Sequence, residues 1–371
     1  MEQHELEQFL HTIPLFSFVE PHEMADLAGL VRAETLQEGQ TLFREKEPGD
    51  ALWVLAGDAE VSVAVRPADA EAPVVVARVK GGETLGEMAL VDEGARSGTA
   101  TVTRGGPAHR IDAADFTRLR EGFRASAYKV LKKICVDLCA KLRATDRRIA
   151  PEGRMEVPKT PGEGGVSVAP ERMDDFAPFR RLPQVVKLAL AGQLRLIETN
   201  DIQPLFGEGE EADAAYFVLE GEVTVGRGGK TFANMGPGSM LGIVALLDKG
   251  HRSASAVTTG PAKLLRLSRR DFELLFNAGN RFAFLMLDLV ARQLVAHLRN
   301  ANELLAQQLP ASAPGAPGAP APATAGADEA DFSDVVVTEE ADDGEGEELN
   351  VDVLPLDLEI EVDTSFDEPV V

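Results

Sequence analysis

The sequence is short of several things, and each shortage narrows what the chain can be. Among 371 residues there are two cysteines, Cys135 and Cys139, too few for a disulfide framework. They stand one helical turn apart among apolar neighbours, with no histidine pair nearby at metal-ligand spacing. That pattern reads as core thiols and assigns no metal. No apolar run reaches the roughly 20 residues that cross a bilayer. The longest candidate, around Phe282–Val290, is interrupted by Asp288. The opening stretch, MEQHELEQFL, lacks the basic-then-apolar layout of a secretory signal. No membrane association is expected, and the chain reads as cytoplasmic. A basic excess is missing too: 37 Lys and Arg stand against 61 Asp and Glu, a net charge of −24. That balance opposes binding by counterion release, so no nucleic-acid partner is expected. G-x-S-x-G, P-loop and kinase motifs are absent, and the chain reads as a non-enzyme.

What is present divides by composition. Residues 1–150 are patterned, with apolar alternation giving way to a helical period. Residues 151–175 are rich in Pro and Gly and read as a linker. Residues 176–309 are patterned again. From Pro310 a Pro/Ala/Gly run leads into an acidic segment, and this tail of 310–371 holds 18 Asp or Glu with no Lys or Arg. Such a composition buries too little apolar surface to offset its ordering entropy, so disorder is expected. Near its end Leu354, Leu356, Leu358, Ile360 and Val362 alternate with polar residues, a period suited to a strand added to a partner's sheet edge.

The two patterned segments repeat each other. Phe16 precedes Phe43 by 27 positions, and Phe179 precedes Phe206 by 27. Leu27-Ala28-Gly29 falls opposite Leu190-Ala191-Gly192. GEMALVDEGARSGTA (Gly86–Ala100) falls opposite GIVALLDKGHRSASA (Gly242–Ala256). Each copy then reaches Asp-Phe, at Asp115-Phe116 and Asp271-Phe272, and enters a helical pattern. Several matches in one order mean duplication. Within each copy a short helix precedes many short strands separated by Gly-containing turns, the signature of a sandwich or barrel flanked by helices.

The chemistry concentrates in Gly86-Glu87-Met88-Ala89-Leu90, followed by Arg96-Ser97-Gly98. A glycine lets backbone approach a ligand closely. An arginine offers a fixed fork of donors to a phosphate, and a carboxylate offers an acceptor to a hydroxyl. This stretch resembles the phosphate-binding cassette of cyclic-nucleotide-binding domains, the sensor domains of catabolite activator protein and of kinase regulatory subunits. The upstream EGQTLFREKEPGDALWVLAGDAEV resembles that family's glycine-punctuated strands. The resemblance implies an α+β, mainly β fold: two tandem double-stranded β-helix (jelly-roll-like β-roll) domains with flanking helices. It implies that Glu87 holds a ribose 2′-hydroxyl and Arg96 a cyclic phosphate, with Gly86, Met88, Ser97 and Gly98 lining the pocket. The ligand it implies is cAMP or cGMP.

The copies are unequal. In the first, Ala95 replaces the usual Pro before the Arg, and Lys46 stands where a glycine is common. In the second, Ile243 occupies the position of Glu87 and cannot accept from a ribose, while Gly242, Arg252 and Ser253 remain as a possible second site. The apolar stripes Leu131, Cys135, Leu138, Leu142 and Val290, Leu294, Leu298, Ala301 suit helix pairing, within the chain or in a homodimer. Leu309 is followed by Pro310 and a Pro/Ala run where the catabolite-activator type carries a helix-turn-helix, so no DNA reader is expected. The expected function is a non-catalytic regulator that senses a cyclic nucleotide in its first domain and signals to a protein partner. A ligand-free scaffold is the alternative, and a transcription regulator is less favoured.

Overall fold

A computed structural model of the protein describes residues 3–66, 73–92, 94–149, 165–277 and 280–308. The tail of 310–371 and most of the stretch read as a linker lie outside the described residues.

Each repeat is a β-roll. In the first, α1 (Gln3–His11) and α2 (Met24–Ala28) precede β1 (Val31–Leu36), β2 (Thr41–Phe43), β3 (Ala51–Leu55), β4 (Glu60–Val65), β5 (Val74–Lys80), β6 (Thr84–Leu85), β7 (Thr99–Arg104) and β8 (Gly106–Asp112). These make two antiparallel sheets, ordered β1-β8-β3-β6 and β2-β7-β4-β5. Helices α3 (Ala113–Glu121) and α4 (Ala125–Ile149) follow. The second repeat opens with the short strand β9 (Val166–Ser167) and α5 (Gln184–Gln193). It continues through β10 (Leu194–Thr199), β11 (Pro204–Phe206), β12 (Ala214–Glu220), β13 (Val223–Arg227), β14 (Lys230–Met235) and β15 (Met240–Leu241). It closes with α6 (Ile243–Leu247), β16 (Ser255–Thr258), β17 (Ala262–Ser268), α7 (Arg269–Asn277) and α8 (Arg281–Gln308). Its sheets are β15-β12-β17-β10-β9 and β11-β16-β13-β14, the same order with β9 added at one edge.

The central strands show why the pattern reads as it does. All five residues of β3 are buried, because the strand is covered on both faces and period-2 alternation is hidden in a continuous apolar run. Ala51, Trp53 and Leu55 point between the two sheets, where they meet Leu36, Phe43 and Val61. Leu52 and Val54 point outward onto the helices. Strand β12 repeats this, with Tyr216 and Val218 inside the roll and Phe217 and Leu219 against the helices. The helical core is common to both repeats: Val130, Leu131, Ile134 and Leu138 of α4 share one buried cluster with Val290, Leu294 and Leu298 of α8. The helix pairing is therefore made within the chain. Among the described residues no single helix is long and apolar enough to cross a membrane.

Two departures from the sequence reading have local causes. The helix expected to run on from Phe116 breaks at Gly122, and Phe123 turns it with φ 52. Strand β9, inside the stretch read as linker, pairs with β10, and Met173 beyond it is buried. Strand β12 carries a bulge between Val218 and Glu220, where it pairs with β17.

Candidate functional site

In the first domain the cassette is built around one buried guanidinium. Strand β6 ends at Gly86, whose φ of 86 opens the short turn Glu87–Leu90. A Cβ at Gly86 would fall 2.6 Å from Arg96 Nη1 and 2.9 Å from the Ala51 carbonyl, so only glycine fits. The Arg96 backbone is clamped from both sides: its amide donates to the Glu47 carbonyl at 2.8 Å, and its carbonyl accepts from the Lys46 amide at 2.9 Å. Its side chain, 6% exposed, donates through Nη2 to Asp50 Oδ1 at 2.9 Å and to the Ala51 carbonyl at 2.8 Å, and through Nη1 to the Gly86 carbonyl at 3.4 Å. The guanidinium lies 4.2 Å from the Phe43 ring centre and 5.5 Å from that of Trp53. Burial pulls its pKa below the usual arginine value, with Asp50 opposing. Its buried Nε donates to no protein atom.

Glu87 pairs with Lys141 of α4. Burial pushes the Glu87 carboxyl up, but the Lys141 ammonium more than offsets this and leaves it below the ordinary glutamate value. Glu87 is thus an ionised acceptor at neutral pH. Gly98 is buried, and a Cβ there would lie 3.0 Å from the Ala64 carbonyl. Ser97 is exposed, and the Met88 side chain packs on the helical core. Of the expected set, then, Gly86, Glu87 and Arg96 are brought together, Gly98 packs against β4, and Met88 turns its side chain to the helical core.

The second domain repeats the geometry with one change. Gly242 (φ 73) caps α6. Arg252, 2% exposed, donates to Asp213 Oδ1 at 2.8 Å and to the Ala214 and Gly242 carbonyls at 2.7 and 2.9 Å. It lies 4.2 Å from the Phe206 ring centre, and its Nε too is buried without a protein partner. Ile243 is buried in the core, so the acceptor supplied by Glu87 has no counterpart here. Ser253 Oγ bonds instead to Asp146 Oδ2 of α4 at 3.3 Å.

The sequence reading missed how the helices cross over. Arg299 of α8 holds Asp92 of the first cassette at 2.7 and 2.8 Å. Arg143 of α4 holds Asp248 of the second at 2.6 and 2.9 Å. The offset relating Arg143 to Arg299 is the one relating Gly86 to Gly242 and Asp92 to Asp248, so the ion pairs were findable as a repeat of basic helix residues and acidic cassette residues. The same offset carries Lys141 to His297. Each long helix thus reaches the other repeat's cassette, as two subunits of a symmetric dimer would. Among the described residues no cluster of His, Cys, Asp or Glu is placed to hold a metal.

Fold and site together define a tandem β-roll protein with one arginine-centred cassette per roll and two shared helices. Comparison with protein families specifies it further: residues 33–122 and 199–278 each match the cyclic nucleotide-binding domain, and the chain contains two domains of that family. The cyclic AMP receptor protein of Thermus thermophilus is 38% identical over 117 residues, 30% of this chain and 54% of that protein. A cAMP-dependent protein kinase regulatory subunit of Aspergillus fumigatus is 33% identical over 114 residues, 30% of this chain and 26% of that protein. The matches thus span about half the length of the first relative and a quarter of the second. Among solved structures, the regulatory domain of Toxoplasma gondii PKA with cAMP aligns over 75% of this chain and 93% of its own, at 18% identity and a TM-score of 0.30.

Proposed function

We propose that the first domain binds a cyclic nucleotide, cAMP or cGMP, and that the protein is a non-catalytic regulator which passes this occupancy to a protein partner through α4. The observation that carries the reading is the pairing of two prepared groups on one wall. One is the buried Arg96, with an uncommitted Nε beneath the Gly86 turn. The other is the Glu87 carboxylate, kept ionised by Lys141. A phosphate takes the guanidinium, and a ribose hydroxyl donates to Glu87. That hydroxyl competes with Lys141 for the carboxylate. Since α4 also carries Arg143 and Asp146 into the second cassette, loosening Lys141 gives the ligand a differential effect on helix position, which any population shift requires.

The chain has a single tryptophan, and Trp53 lies beneath Arg96, so its fluorescence reports on this site. Titration with cAMP and with cGMP is expected to give a saturable change that Arg96→Ala removes. No change and no calorimetric heat with either nucleotide up to about 1 mM, a binding free energy weaker than about −4 kcal/mol, rejects the reading. That outcome favours the second one, in which both rolls are ligand-free interaction modules and the arginines are structural ties to Asp50 and Asp213.

A further inference from the structure

The second domain holds a cavity of about 440 Å³, within the range of small-molecule sites. Its walls are mainly apolar, with Phe206, Val225, Phe232 and Met235 from the roll. Its roof comes from two helices: Leu142, Asp146 and Ile149 of α4, and His297 and Asn300 of α8. Part of the site is therefore supplied by the first repeat.

The charges lining this cavity do not suit a phosphate ester of a ribose. Ile243 takes the place of the diol reader. His297 replaces Lys141 and is neutral, because burial pulls its pKa down to about 4. Arg252, which lines the cavity, is tied to Asp213 as Arg96 is to Asp50, so the guanidinium does not distinguish the two sites; Arg227 is held by Glu208 and Arg143 by Asp248. Asp146 is engaged by the Ser253 hydroxyl, at the position where the first cassette would present its serine to a ligand. A ligand phosphate there would meet a carboxylate in a mostly apolar surround, where like charges repel strongly. A positive nitrogen would meet an acceptor pair.

We infer that the second-domain cavity binds an aromatic small molecule bearing a cationic or N–H-donating nitrogen, received by the Asp146 carboxylate and the Ser253 hydroxyl, and not a cyclic nucleotide. Burial holds Asp146 up at about 6 with Arg227 and Arg143 in the neighbourhood, so at pH 7.5 it is ionised and gains from a cation brought beside it. The aromatic part fills the apolar space lined by Val225, Phe232 and Met235. The inference stands apart from nucleotide binding in the first domain.

The test is calorimetry on the full chain at pH 7.5 with two nearly isosteric probes of opposite charge, tryptamine and indole-3-propionate. Tryptamine is expected to bind one per chain and at least about tenfold more tightly than the propionate. Asp146→Asn is expected to shrink that preference to less than about threefold, as the amide receives a cation poorly but still bonds Ser253. Phe232→Trp, which fills the cavity without touching its charge, is expected to weaken tryptamine at least about tenfold while leaving the cAMP isotherm unchanged. Propionate binding as tightly as tryptamine, a charge preference that survives Asp146→Asn, or no tryptamine heat up to about 5 mM each overturns the inference. Loss of the cAMP isotherm with tryptamine binding intact would instead reject only the first-domain reading.

Discussion

Replacing Asp146 with Asn isolates the cost of a carboxyl that the first repeat lends to the second. Burial pushes its pKa from an ordinary 3.8 to about 6, with Ser253 and the nearby Arg227 and Arg143 opposing. At 1.36 kcal/mol per tenfold change, that displacement disfavours the ionised folded form by up to about 3 kcal/mol. The side chain is partly open to the cavity, so about 1–3 kcal/mol is the fair range. A carboxyl whose pKa rises on folding costs stability above its folded value. The cost fades as pH falls from about 6 toward 3.8 and is gone below both values, where folded and unfolded chains hold the same proton. Asparagine has the same shape, still bonds Ser253 and does not ionise. Asp146→Asn is therefore expected to stabilise the protein by about 1–3 kcal/mol at pH 7.5 and by only a few tenths near pH 3.5. Urea unfolding followed by far-UV circular dichroism at both pH values measures this. An equal gain at both would place the effect in packing. A loss at pH 7.5 would mean that the arginines stabilise the carboxylate more than burial costs it, and the reasoning would be wrong.

Lys46 adopts φ 69 where its counterpart Gly209 adopts φ 78, so Lys46→Gly is expected to stabilise by about 0.5–1 kcal/mol in thermal unfolding, and a loss would count against backbone strain there. Ile243→Glu would bury a carboxylate beside the neutral His297 instead of a lysine. A cost of about 2–4 kcal/mol and no second nucleotide-binding event in calorimetry are expected, and a stable variant binding two nucleotides would refute this. Arg143→Ala and Arg299→Ala each remove a half-buried two-pronged ion pair between repeats, and each is expected to cost about 1–2 kcal/mol in urea unfolding. Effects within about 0.5 kcal/mol of zero would show that apolar packing alone joins the helices.

Much of the fold was legible because duplication made each pattern visible twice. Strand β3 was readable despite lacking alternation, since Gly-containing turns bounded it and β12 repeated it. Gly86 and Arg96 were legible as a structural pair because a turn needing positive φ leaves few residue choices and because Gly242 and Arg252 repeat the spacing. Lys141 is not legible in the sequence, for nothing local tells which lysine of the helix overlies Glu87. Asp50 ties Arg96 into the roll, a contact between positions 46 residues apart that no local pattern announces. Asp146 and the second cavity depend on α4 crossing to the other repeat, a long-range packing outcome with no local signature. The break at Phe123 was missed because Leu119 and Phe123 keep a helical spacing across it.

The central claim is that Glu87 and Arg96 form a nucleotide site, and the most direct test is calorimetry of cAMP against 2′-deoxy-cAMP on the wild type and on Glu87→Ala. The wild type is expected to bind one cAMP per chain and to lose about 5- to 150-fold on removal of the 2′-hydroxyl, the roughly 1–3 kcal/mol that a hydrogen bond to a charged acceptor contributes. In Glu87→Ala the two ligands are expected to bind alike. Equal affinities in the wild type, or a discrimination that persists in Glu87→Ala, would contradict the account.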